Sequence, residues 1–335
     1  MSFFGSTDFS LEVAKGNIPG HSFAFVVSNN PASCTSYEDI WDAGELDTLD
    51  YDAQSGNFTP GLMITGGTSG ATATIVVDDD DGATGTLTLR MILGDFQDGE
   101  TITDTSTGSA TTDGVLLGTH RFADYPTSGE QWEIVCESAL DTVAGTGAQK
   151  VLITYLDTSY VEQSTLADTG GATPTAITPT DCLRFQSGVV AQFGSATTPS
   201  LIKSNQGGVV IRDIATKGVR GYIPYDDTVV GDGIGFNFSR SSHYTVRAGE
   251  TAYVYEATVN TSKNFEADVI SCIRPFGSEG FIPAAQRFIY QSSIVLPFSM
   301  SPIVFPEKSD FKFIARSTTD NVPVSGTLTL LIVED

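Results

Sequence analysis

Positive charge is scarce in this chain: 17 Lys and Arg stand against 41 Asp and Glu in 335 residues, for a net charge of −24 and a pI of about 4.2. A surface so acidic excludes direct binding of nucleic acid, which needs clustered cations against phosphate. It also disfavours anionic membranes. No apolar run approaches the ~20 residues that a spanning helix requires. Met1-Ser2-Phe3-Phe4-Gly5 has neither the basic nor the apolar region of a secretory signal, which predicts synthesis in a cytoplasm. Cysteine is limited to Cys34, Cys136, Cys182 and Cys272, far apart and without a CxxC pair. That spacing excludes a disulfide framework or zinc site and leaves small buried hydrophobes. The histidines, His21, His120 and His243, have no metal-ligand spacing. Helical periodicity is nearly absent.

What the chain has is Gly, Thr, Ser and Asp around short β-branched runs. Apolar content is an ordinary 40%, so the chain can build cores, and its length predicts two or three domains. The clearest stretch runs from Pro60 to Leu117. Thr72 to Val77 alternates and stops at Asp78-Asp79-Asp80-Asp81-Gly82, and Thr86-Leu87-Thr88-Leu89 places two leucines on one face. This is the period of two of half-buried strands. Gly66-Gly67, Asp81-Gly82, Asp98-Gly99 and Asp113-Gly114 are expected to supply the positive φ of tight turns. Thr68-Ser69-Gly70-Ala71-Thr72 echoes Thr107-Gly108-Ser109-Ala110-Thr111, as in a module of two similar halves.

The flanks are more aromatic, which predicts that residues 60–117 are a small β module inserted into a discontinuous first β domain, residues 21–59 and 118–200. A second β domain, residues 201–335, follows. Strands are expected from His21 to Val27, Lys150 to Tyr155, Val161 to Leu166 and Leu183 to Phe193. Further on they are expected from Gly207 to Ile214, Ala252 to Asn260, Ala267 to Arg274 and Arg287 to Leu296. Thr261-Ser262-Lys263-Asn264 reads as a hairpin turn between two of these. The fold class expected is all-β: two sandwich or jelly-roll-like domains, the inserted module, and an N-terminal arm over residues 1–20. Within the arm, Asp8 caps a short helix from Phe9 to Lys15 that ends at Gly16. Phe3, Phe4, Phe9, Leu11 and Val13 are too apolar for a free tail, which makes them candidate docking residues.

Several segments together resemble a family of tailed-phage virion structural proteins, most familiar in marine podoviruses. They are Leu11 to Ser22 (LEVAKGNIPGHS), Ile40-Trp41-Asp42-Ala43-Gly44, Asp141 to Val151 (DTVAGTGAQKV), Tyr155 to Tyr160 (YLDTSY), Val246 to Tyr253 (VRAGETAY) and Phe305 to Asp310 (FPEKSD). Their order along one chain carries the resemblance, which covers most of residues 8–335 outside the insert. The insert is similar to modules that recur in phage structural and fibre proteins. One departure concerns Val26-Val27-Ser28-Asn29-Asn30-Pro31, where the family often has Lys-Phe-Gly-Arg-Asn-Pro. The resemblance implies a virion protein made in a bacterial cytoplasm: a capsid decoration, head fibre or tail-attached protein. It implies partners in other copies of itself, as a trimer, and in major capsid or tail proteins.

Reactive constellations are not evident. No GxSxG, P-loop or dinucleotide fingerprint occurs, and no cofactor or metal is expected. Glu130 and Glu133 have the residue types of a glycosidase pair but are expected to be solvated strand positions in so acidic a chain. Asp78 to Asp81 lacks the alternating ligand order of a calcium loop and reads as an acidic turn. A non-enzymatic role is therefore expected. The alternative is a carbohydrate- or receptor-binding module for a host surface glycan, with Tyr222, Tyr225, Tyr244, Tyr253 and Tyr255 as an aromatic platform.

Overall fold

The computed structural model describes residues 10, 12–33, 37–41, 46–116, 125–195, 203–226, 234–261, 266–290, 293–297, 303–319 and 322–335. Helix among them is confined to residues 10 and 12–14, and the fold is all-β. The chain divides into two units. One comprises Met1–Trp41, Leu156–Glu162 and Arg240–Asp335; the other comprises Asp42–Tyr155 and Gln163–Ser239.

The first unit is a sandwich. One sheet has the order His21–Ser33, Val322–Glu334, Glu250–Thr261, Ser293–Pro297, with Val304–Phe305 also on Glu250–Thr261. The other has the order Tyr244–Thr245, Asp310–Ser317, Glu266–Arg274, Ile282–Tyr290, with Glu38–Asp39 also on Asp310–Ser317. The alternation read in the sequence explains the layers. Val324, Leu328, Leu330 and Ile332 from the first sheet meet Val269, Phe311, Phe313 and Ala315 from the second, and the residues between them face outward. Truncating a wholly buried residue such as Leu330 to Ala costs about 2–5 kcal/mol.

Three expectations change here. His21–Ser33 does not open the first β domain: it pairs antiparallel with Val322–Glu334, from His21 opposite Val333 to Ser33 opposite Val322. Glu250–Thr261 and Glu266–Arg274 do not form a hairpin, because they lie in opposite sheets. Arg287 to Leu296 is likewise two strands, Ile282–Tyr290 and Ser293–Pro297, one in each sheet. Period-two alternation identifies a strand but not its partner.

The second unit holds a closed barrel and two further sheets. The barrel order is Asp47–Gly56, Gly85–Leu93, Thr72–Asp80, Met63–Gly66, Thr101–Asp104, Ser109–Thr112, and back to Asp47–Gly56. Closure leaves no free sheet edge. Leu49, Ile64, Ile75, Leu87, Leu89 and Ile102 fill its interior. The echo between the two halves has a structural counterpart. Met63–Gly66 and Thr101–Asp104 pair about Thr65 and Thr103, with Ile64 opposite Asp104 and Gly66 opposite Ile102, so two similar hairpins meet across a local two-fold. Of the expected turn glycines, Gly82, Gly99 and Gly114 have positive φ, whereas at Gly66-Gly67 the left-handed residue is Gly70. Gly66 is needed for a different reason: a Cβ there would fall 2.7 Å from the Glu100 carboxylate.

Asp47–Gly56 is part of the barrel ring, so the module begins well before residue 60. The remaining strands form two sheets, Glu162–Asp168, Ala148–Asp157, Cys182–Phe193, and Thr175–Ala176, Trp132–Cys136, Val209–Asp213, Val219–Ile223. Trp132, Ile134, Ile153, Phe185, Val209 and Ile211 pack between them. Val209–Asp213 pairs with Trp132–Cys136, so this part of the sequence completes the second unit and does not open a domain at residue 201.

Candidate functional site

The N-terminal segment meets the outer face of the first sandwich. Gly16 N donates to Val13 O at 2.9 Å, closing the short helix, and Asn17 and Lys15 hydrogen bonds hold the Glu12 carboxyl below its usual range. Ser10 Oγ lies 2.9 Å from Tyr255 Oη, and the Tyr255 ring stands edge-on to Phe23 at 5.6 Å. Phe23, Phe25 and Val27 share this outward face, while Val26 and Ser28 point inward. Phe25 is 73% exposed and Val27 38%. Of the candidate docking residues, Val13 is only 3% exposed; Phe3, Phe4, Phe9 and Leu11 lie outside the described residues.

The five tyrosines are divided between the two units. Tyr222 and Tyr225 belong to one unit and Tyr244, Tyr253 and Tyr255 to the other. Tyr222 is buried, and Tyr244 is half-buried with its hydroxyl pushed up by burial. Tyr253 and Tyr255 remain on the outward face beside Phe23.

The acidic run is a strand end, and its members have separate partners. Asp79 accepts from Arg212 Nη1 at 2.6 Å and Nη2 at 2.7 Å, a bidentate pair. Arg212 Nε donates to Glu133 Oε1 at 2.8 Å, which also accepts from Lys217 Nζ at 2.9 Å. Asp78 accepts from the Tyr51 hydroxyl at 2.8 Å, and burial pushes its carboxyl up to about 6. Asp80 takes Asn57 Nδ2 at 2.8 Å and Gly82 N at 2.7 Å. Among the described residues no group of three His, Cys, Asp or Glu is disposed to hold a metal ion.

Glu130 and Glu133 are not solvated strand positions. Glu130 accepts from Arg220 Nε and Nη2, both at 2.8 Å, and from Trp132 Nε1 at 2.9 Å, while Glu133 is buried against Arg212. Both carboxylates are engaged by guanidinium groups of neighbouring strands. A third ion pair joins the barrel to the neighbouring sheet: Arg90 Nη2 donates to Glu137 Oε1 at 2.7 Å, and Gly208 N donates to the other oxygen at 2.9 Å.

One polar cluster had no signal in the sequence, because its members are spread from residue 39 to residue 312. Ser241 Oγ lies 2.6 Å from His243 Nδ1, His243 Nε2 lies 3.5 Å from Asp39 Oδ2, and Lys312 Nζ lies 2.7 Å from Asp39 Oδ1. Burial would raise the Asp39 carboxyl, but His243 and Lys312 outweigh it and hold it near about 2. Burial lowers His243. The residue types are those of a Ser-His-Asp relay, but the imidazole is enclosed: His243 is buried and Trp41 stands edge-on to it at 5.8 Å. A relay needs the serine oxygen free to face a substrate and an oxyanion site beside it. The cluster ties Glu38–Asp39 to the sandwich instead. The thiols of Cys136, Cys182 and Cys272 are buried, and burial pushes Cys182 up to about 12, far from a reactive thiolate. Cys34 and His120 lie outside the described residues.

No protein-family model and no curated protein matches the chain. Among solved structures it is similar to the infectious bursal disease virus Gx strain, at 11% identity over 94% of this chain and 72% of that one, with a TM-score of 0.18. It is also similar to the infectious bursal disease virus VP2 subviral particle, at 10% identity over 94% and 72%, with a TM-score of 0.17. TM-scores of this size carry no conclusion about fold or role.

Proposed function

We infer that the chain is a non-enzymatic structural protein of a tailed-phage virion, a capsid decoration, head fibre or tail-attached protein that acts by self-association and docking. The observation that carries this reading is the outward face of the N-terminal strand, where Phe25 and Val27 are exposed beside Phe23 and Tyr255 in a chain of net charge −24. Apolar exposure of this kind fits a protein contact. Arg90, Arg212 and Arg220 of the second unit support the same reading, since each is engaged in an ion pair with a carboxylate of another segment. The order of the sequence segments that resemble virion proteins supplies the phage context.

The test is incubation of the purified chain with purified phage heads and tails, separated by sedimentation. Saturable binding to one of the two is expected; failure to bind either refutes a virion role. A second reading, recognition of a host surface glycan, is favoured by Tyr253 and Tyr255 standing on the same outward face. It requires saturable binding to host polysaccharide that is lost in Tyr255→Ala.

A further inference from the structure

The outward face of the sheet containing His21–Ser33 carries an apolar row across four strands. Phe23 stands opposite Leu331, Leu331 opposite Tyr253, and Tyr253 opposite Val304. These four point away from the core, because Ala24, Leu330, Ile332, Ala252, Val254 and Phe305 beside them face it. Phe25 and Val27 extend the row along their own strand, opposite Thr329 and Thr327. Among the described residues Phe25 is the most exposed large apolar side chain, at 73%. The chain touches this face before it enters the sheet. Ser10 Oγ lies 2.9 Å from Tyr255 Oη, the Tyr255 ring lies 5.6 Å from Phe23, and Phe23 lies 6.4 Å from Phe25. Val13 is buried, and the bond from Gly16 N to Val13 O closes the turn that follows it, so this segment is tied down. Residues 1–9 therefore leave from a point above the face itself. An extended chain covers about 3.3–3.6 Å per residue, so about four residues reach from Ser10 to Phe25. Residues 1–9 include Phe3, Phe4 and Phe9 and one charged residue, Asp8.

We propose, resting on the docking role inferred above, that residues 1–9 fold back over this face, with Phe3, Phe4 and Phe9 covering Phe25 and Val27. The docking surface then has a cover supplied by its own chain. Two observations favour the chain's own segment over a second copy. The tether at Ser10 stands on the face, so the segment is held there at the high effective concentration of a short linker. A second copy arrives from dilute solution and brings a charge of −24 against a charge of −24. Aromatic side chains set against an aromatic row remove apolar surface from water on both sides of the contact. Docking on a virion surface requires the cover to lift, and a partner succeeds by offering the row a better apolar match than the segment does. Removing the segment therefore leaves the face ready to dock.

The experiment is thiol labelling of the full chain in a Cys34→Ser background, where Cys136, Cys182 and Cys272 are buried. Val27→Cys reports on the covered face, and Ile282→Cys, exposed on the opposite sheet, is the control. Deleting residues 2–9 is expected to speed labelling at position 27 by roughly tenfold or more and to leave position 282 unchanged. The double substitution Phe3→Ser, Phe4→Ser, which keeps the length of the segment, is expected to act in the same direction. Circular dichroism checks that folding is unchanged. Equal rates at position 27 with and without the segment overturn the proposal. So does protection that grows with protein concentration, which would make a second copy the occupant, and so does equal acceleration at both positions, which would report a loosened sandwich. Phage-particle binding is scored separately, with the deletion variant expected to saturate particles at lower concentration than the full chain. An unprotected Val27→Cys in a chain that still saturates particles refutes the cover and spares the virion role; a protected one in a chain that binds no particle, with or without residues 2–9, does the reverse.

Discussion

Arg212 sends Nε to Glu133 and both terminal nitrogens to Asp79, with only 1% of its side chain exposed. Removing the cation leaves Asp79 and Glu133 with only the half-exposed Lys217, beside Glu133, to compensate them. Arg212→Met is therefore expected to lower unfolding free energy by about 3–5 kcal/mol, the range for breaking a buried pair. Lys217→Met, at a half-exposed end of the same network, should cost under about 1 kcal/mol. Urea denaturation of both variants separates the two cases. Protonation divides the residues differently. Asp141 is fully buried, accepts from Ala148 N and Gln206 N, and has its carboxyl pushed up to about 6 by burial. A raised carboxyl favours folding below its unfolded value of 3.8, and that contribution disappears as pH rises through 6, a loss on the order of 3 kcal/mol. Asp39 has the opposite sign: held near 2, it favours folding above 3.8 and loses that contribution as pH falls through 2. Through Asp141 the unfolding midpoint of the second unit is expected to be higher near pH 5 than near pH 7.5, whereas the lowered imidazole of His243 acts in the opposite sense on the first unit. In Asp141→Asn that slope should flatten; an unchanged slope would show that Asp141 does not produce it.

At the scale of elements, the barrel decides what can be cut. Removing residues 60–117 takes away five of the six barrel strands and leaves Asp47–Gly56 without its neighbours. The cut also leaves Arg212 without Asp79 and Glu137 without Arg90. That deletion is expected to give an insoluble or non-cooperative protein. The fragment 46–116, which contains the whole ring and its core, should fold alone, as a dispersed amide NMR spectrum would show. At about 70 residues its stability will be marginal. A collapsed amide spectrum would mean that the neighbouring sheet supplies part of its stability. Local features of the barrel were legible because they are local: the alternation of Thr72 to Val77, the turn at Gly82, the echo of the two hairpins. Asp47–Gly56 was missed because Asp50, Asp52, Gln54 and Asn57 blur its apolar alternation. The partnership of His21–Ser33 with Val322–Glu334 has no local sequence signal, since strands about 300 residues apart are matched only by the complementary faces of the finished sheets. The same distance hid the Asp39–His243 cluster. The exposed apolar face of Phe25 and Val27 was not read from the sequence, which placed the candidate docking residues in the N-terminal arm, because the exposure of those two side chains is set by strand pairing.

Across the whole molecule the dominant property is charge. With 41 acidic and 17 basic residues, two chains that meet pay a long-range repulsion whatever surfaces they join. If association proceeds through the outward face of Phe25 and Val27, the attractive part of the contact consists of apolar side chains, which salt screens little. The repulsive part lies between distant carboxylates, and salt screens it strongly, since the Debye length falls from ~30 Å at 0.01 M to ~10 Å at 0.1 M. Self-association is therefore expected to tighten as sodium chloride is raised from about 0.02 M to about 0.5 M, by roughly tenfold or more in Kd. A contact built on ion pairs would weaken over the same range. Sedimentation equilibrium across the salt series, repeated with Phe25→Lys, distinguishes them. Tightening in the wild type that disappears in the variant identifies the apolar face. Weakening with salt would place the contact on the charged surface and rule that face out.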